Sequence, residues 1–175
     1  MTDVATAPDE ATLRGADKRE AFHLEAESRI QKYSFKRPAD KPDDRRGHFW
    51  LCKSDLVRAI VQMIPTGGDI QLHYHPGLDG FWMVLQGKAR FYGPDEVIIG
   101  EFGPQEGLLM PRNARYWFEN ANDDEELHIL LVTGSSGHTG NRIVDVGERA
   151  PGGLRAIRYH YPDNAETFGT PRKVS

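Results

Sequence analysis

The sequence is poor in anything that would supply a covalent or strongly charged framework. One cysteine, Cys52, stands among 175 residues. No intrachain disulfide can form, and no thiolate cluster can hold a metal. Neither sign of charge dominates: 22 Lys and Arg face 26 Asp and Glu, a net charge of −4. The basic stripe that phosphate backbones require is missing, so no nucleic-acid partner is expected. Apolar runs are too short to span a membrane. The opening MTDVATAPDEATLRG lacks the apolar stretch of a secretory signal, and a cytoplasmic protein is expected. There is no Gly-Lys-Ser/Thr phosphate loop and no GxSxG elbow; VTGSSGHTG holds Ser and His without the context of a nucleophile turn.

Turn residues, by contrast, are abundant. The 18 glycines and 11 prolines exceed the roughly 12% of an ordinary chain. From residue 48 they separate short β-branched or alternating segments: LVRAIVQMI (56–64), DIQLHYH (69–75), FWMVLQ (81–86), KARFY (88–92), EVIIGEF (96–102), EGLLMP (106–111), RYWFEN (115–120) and ELHILLVTG (126–134). Strand signals every 8–12 residues with turns between them mean a β-sandwich or barrel. PGLDG (76–80) reads as a turn, NDDEE (122–126) as a solvated acidic loop without EF-hand spacing. The spacing of Phe22, Ala26, Ile30 and Tyr33 predicts a helix over about 18–33, with Asp17 and Glu20 as a capping box. The chain therefore divides into an N-terminal arm (1–47), a barrel (48–134), and a C-terminal loop, edge strand and loose tail (135–175).

The sharpest constellation is Gly67-x5-His73-x-His75, closed by Gly87. Two His at i and i+2 on a strand share a face, so two imidazole nitrogens can converge on one ion. A carboxylate would complete a facial triad with open positions, a set suited to Fe(II), Mn or Zn. His48 and His128 stand in reserve. Period 2 from His73 turns Gln71 inward.

The string resembles the first motif of the cupin superfamily, Gly-x5-His-x-His-x3,4-Glu-x6-Gly. Pro111 and Asn120 match the Pro and Asn spacing of its second motif. Asn113 stands at a glycine of that motif, which Asn can replace because it tolerates a left-handed backbone. Gln105 stands at the motif's opening glycine. The likeness covers about residues 48–134. It implies a jelly-roll barrel, usually homodimeric, holding a metal. The usual acidic ligand falls on Gly80, or on Asp79 in the short form of the motif, and the second-motif His is Tyr116; the resemblance thus implies Asp79 as first candidate for the third ligand and Tyr116 as second, although an ordinary phenol keeps its proton near neutral pH. The reading that results is an all-β cupin-type jelly roll with an N-terminal arm. It would hold one divalent transition metal at His73, His75 and Asp79. Trp82, Tyr116, Phe118 and Gln71 would line a pocket for a small apolar or aromatic molecule, with Tyr116 also catalytic. A dioxygenase is the leading reaction. The alternatives are a metal-free cupin that binds a small molecule, and a non-redox isomerase, cyclase or lyase. The outward Phe81, Met83, Leu85 and Trp117 point to a homodimer.

Overall fold

The computed structural model describes residues 15–135, 144–145, 156–160 and 172–174. Two compact units divide the chain between Lys32 and Tyr33. The first contains helix α1, Ala16–Ser28. Asp17 lies inside this helix. Gly15 is the N-cap and no side chain caps it, so the expected capping box does not form. No helix among the described residues is long and apolar enough to cross a membrane.

The second unit is built of strands β1 Gly47–Lys53, β2 Val57–Ile64, β3 Asp69–Tyr74, β4 Leu78–Gln86, β5 Ala89–Tyr92, β6 Ile98–Phe102, β7 Gly107–Met110, β8 Tyr116–Asn120, β9 Leu127–Ser135, β10 Val144–Asp145, β11 Ile157–His160 and β12 Arg172–Val174. They form two sheets, β12-β11-β1-β2-β9-β4-β7 and β10-β3-β8-β5-β6. This is the all-β architecture expected from the punctuated strand series and the jelly roll that the resemblance implies. Most of the loop expected at 134–140 lies outside the described residues.

Three local readings are corrected. LDG (78–80) is the beginning of β4 and not a turn: Asp79 is in register with Gly134 of β9, and that ladder outweighs the turn preference of Asp and Gly. The segment around 157–160 is not an edge strand. It runs parallel to β1 on one side and carries β12 on the other. Residues 172–174, expected in a loose tail, are that β12.

The two faces of the larger sheet have different partners. On the face toward the smaller sheet, Ile64, Trp82, Val84, Leu127, Ile129 and Leu131 pack with Phe91, Tyr116 and Phe118 of that smaller sheet in one core. On the opposite face, Phe49, Val61, Met63 and Tyr159 form a second cluster, with Phe35 packed against it. Burial on both faces explains why β2 reads as a nearly unbroken apolar run. Both glycine positions that the sequence fills with other residues keep a left-handed backbone: φ is 70° at Gln105 and 67° at Asn113. The fold imposes these conformations, and Asn accepts one at less cost than Gln does.

Candidate functional site

The site lies where the end of β3 meets β4, β8 and β9. The His73 and His75 rings stand 5.1 Å apart, nearly perpendicular. Tyr116, in register with His73 across β3 and β8, brings its ring to 4.5 Å from His73 and 6.5 Å from His75. The backbone carbonyl of Gln71 lies 2.7 Å from His73 Nδ1. A carbonyl only accepts, so Nδ1 carries the proton and Nε2 carries the lone pair of the neutral ring.

Beside these rings is a cavity of about 10 Å3 lined by His75, Leu78, Gly80, Met110, Pro111, Tyr116, Leu131 and Thr133. That is room for about one water-sized atom. The turn at 111–114 forms part of its wall and is held in place: Asn113 N–H donates to His75 O at 2.9 Å, and Arg112 N–H donates to Asp79 Oδ1 at 2.9 Å.

His73, His75 and Tyr116 are brought together as their motif positions imply. Asp79 is not with them. It is one residue out of phase with Gly80, so its side chain faces outward, where the Arg112 guanidinium donates to Oδ1 at 3.2 Å and Oδ2 at 3.1 Å. Hydrogen bonds from Arg112 hold its carboxyl below the usual carboxylate range. Gln71 does not line the cavity either. Between Ile70–Phe118 and His73–Tyr116, β3 spends one residue more than β8, a bulge that breaks the alternation counted back from His73. Ile70 packs against the core instead.

Trp82 and Phe118 point inward, but into the packed core and not onto the cavity lining. Phe118 stacks on Phe91 at 4.7 Å and meets Trp82 at 5.0 Å. Burial pushes the Tyr116 pKa up; the residue is a neutral phenol, able to donate a hydrogen bond and poorly suited to bind as phenolate.

The reserve histidines are elsewhere. His128 Nε2 faces Glu126 Oε1 at 2.9 Å, and its ring meets Phe35 edge-on at 5.2 Å. His48 stands in register with Gln62 and Arg158. Burial, then the charges of Arg46, Arg158 and Arg58, push its pKa down to about 4, so it stays neutral. The lining residue Thr133 was missed in the sequence, although alternation along β9 from Leu127 through Ile129 and Leu131 leads to it. Glu126, in the segment expected as a solvated loop, is instead the centre of an ion cluster with Lys41, Arg37 and His128.

Residues 60–133 match the cupin domain family model. This chain carries a cupin domain. Solved structures agree on the fold. A double-stranded β-helix protein from Klebsiella pneumoniae shares 19% identity over 66% of this chain and 91% of its own, with a TM-score of 0.53. RmlC-like cupins from Desulfovibrio desulfuricans and Methanocaldococcus jannaschii share 15% and 18% over 60% and 62% of this chain, and 96% and 93% of their own. Their TM-scores are 0.51 and 0.50. At these identities the likeness concerns the fold alone. No curated protein gives a significant match.

The metal expected in a cupin fits part of this donor set. A metal–nitrogen bond of about 2.1 Å puts an imidazole centre about 3.2 Å from the ion, so two such rings stand about 4.5–5.2 Å apart between octahedral and tetrahedral angles. The observed 5.1 Å falls in that range, and the His73 tautomer offers Nε2. The four-ligand cupin set does not fit: Gly80 has no side chain, Tyr116 is protonated and Asp79 faces away. Among the described residues, no three His, Cys, Asp or Glu side chains gather in a way that could hold an ion.

Proposed function

We propose that the barrel mouth is a small-molecule site in which His73 and His75 hold one divalent ion, Fe(II), Mn or Zn. The observation that carries this reading is the His73 Nδ1–H bond to the Gln71 carbonyl, which turns Nε2 outward as a lone pair beside a second imidazole at ion-sharing distance. When bound, such an ion supplies Lewis acidity, or oxygen chemistry if it is iron, at positions left open by the protein. The chain's own contributions are narrower. Tyr116 donates a hydrogen bond from a phenol that burial keeps neutral. Leu78, Met110 and Leu131 exclude water from one side of the site. The Asp79–Arg112 pair fixes the turn that covers it. A small organic molecule, with dioxygenase chemistry as one outcome, is the substrate class this supports.

Calorimetric titration of chelator-treated protein with Zn and Mn tests the ion site. One equivalent is expected in the wild type and in Asp79→Asn, and none in the His73→Ala/His75→Ala double variant. A full equivalent in the double variant would place the ion elsewhere. The second reading, a metal-free cupin that binds a small molecule, is favoured by Gly80 and Tyr116 standing at two usual ligand positions. It takes over if the wild type binds no ion.

A further inference from the structure

Trp82 is 1% exposed, and its indole Nε1–H meets no acceptor among the described residues. A buried, unmatched donor is rare in a native core and calls for a reason. Its surroundings supply one. A Cβ built on Gly80 would lie 3.4 Å from Nε1 and 3.3 Å from Leu131 Cδ1, with the Met110 carbonyl oxygen at 3.9 Å. Gly80, Leu131 and Met110 all line the cavity beside His75. The indole nitrogen thus stands directly behind the cavity wall, at the one point where that wall has no side chain. Tyr116 lines the same cavity and meets the Trp82 ring edge-on at 6.1 Å. The indole N–H faces the Tyr116 hydroxyl without closing a hydrogen bond of ordinary geometry.

Where cupins usually place two acceptors, a carboxylate and an imidazole, this chain has Gly80, which leaves the way open to the Trp82 indole N–H, and the Tyr116 hydroxyl. A site made of two donors selects an atom that only accepts. A charged acceptor strengthens both bonds. The cavity admits about one oxygen-sized atom.

We propose that Trp82 Nε1–H and the Tyr116 hydroxyl form a paired donor site for one oxygen of a small carboxylate. The oxygen enters past Gly80, and the rest of the molecule lies toward His75 and Thr133. This deepens the reading of the barrel mouth as a small-molecule site and rests on it, but does not require the ion.

The test is a 1H–15N spectrum of the full chain, treated with chelator and titrated with acetate. The three tryptophans give three indole signals, and the one absent from Trp82→Phe is assigned to Trp82. That signal moves downfield and saturates, while those of Trp50 and Trp117 stay in place. Tyr116→Phe weakens the midpoint about tenfold, the effect of one lost hydrogen bond. Gly80→Ala closes the approach and abolishes the shift, with the dispersed spectrum reporting that the barrel is folded. A Trp82 signal unmoved at about 100 mM acetate, beyond millimolar affinity, would overturn the proposal. So would an equal shift in Gly80→Ala. The ion-free condition separates the two ideas: the acetate response is read on chelator-treated wild type with no ion bound, and the calorimetric titration reads the ion with no acetate present, so either reading can fail without the other.

Discussion

Replacing Glu126 with Gln should destabilise the protein by about 3–5 kcal/mol at pH 7, the loss typical of a broken buried ion pair. Glu126 immediately precedes β9 and gathers His128 from that strand with Arg37 and Lys41 from a segment 85 to 89 positions earlier. Arg37 Nε donates to Oε1 at 2.8 Å, His128 Nε2 stands at 2.9 Å from the same oxygen, and Lys41 Nζ contacts Oε2. The Lys41 side chain is 0% exposed. Without the carboxylate, its ammonium keeps only the Pro42 carbonyl at 2.9 Å among the contacts described. Burial by itself would raise the Glu126 pKa. Hydrogen bonds from His128, Lys41 and Arg37 more than reverse this and hold it at about 2 instead of the ordinary 4.5. With the carboxylate only 15% exposed, that difference corresponds to about 3 kcal/mol. The two routes agree. The sign follows from proton uptake: the unfolded chain takes the proton first, near pH 4.5, so the contribution is complete above about pH 5. It fades as pH falls toward 2. Urea denaturation of wild type and Glu126→Gln, extrapolated linearly at pH 7 and again at pH 3, should show a gap that narrows in acid. A variant within 1 kcal/mol of the wild type at pH 7, or a gap that does not change with pH, would refute the reasoning. Pairing Glu126→Leu with Lys41→Met should recover much of the loss, because the stranded charge is then gone.

Gln105→Gly relieves a left-handed φ of 70° and should raise stability by about 0.5–1 kcal/mol, after allowing for the freer unfolded chain; a loss measured by the same denaturation would contradict this. Phe118→Ala removes a fully buried ring stacked on Phe91 and should cost about 3–5 kcal/mol. A loss below 1 kcal/mol would mean that Phe118 faces open space and not the packed core. We also propose a homodimer that covers Phe81 and Leu109, neighbours in register on β4 and β7 that are 47% and 66% exposed. Light scattering at micromolar concentration should give twice 19.7 kDa, and a 19.7 kDa particle would refute it.

Much of the barrel was legible in the sequence because its signals are local. Alternation and turn residues mark a strand wherever it pairs, so the segments that became β2 to β9 could be delimited before any partner was known. The His73-x-His75 pair was legible for the same reason, whereas the left-handed backbone at Asn113 was legible only through the resemblance, at a glycine of the second motif. Tertiary structure decided everything that depends on phase or on distant partners. One extra residue between Ile70 and His73 changes which side chain enters the core, and a bulge leaves no mark in the order of residues. Leu78–Gly80 has turn chemistry, yet pairing with β7 and β9 draws it into β4 and swings Asp79 out to Arg112. Segment 157–160 ends up inside a sheet because β1, more than a hundred residues earlier, offers it an edge. Glu126 and Lys41 are 85 positions apart, and only the fold turns an acid in an apparent surface loop into the anchor of a buried lysine. Hydrophobic period and turn preference act within a few residues and can be read along the chain. Burial, register and charge pairing are properties of surfaces that meet only after the chain has folded.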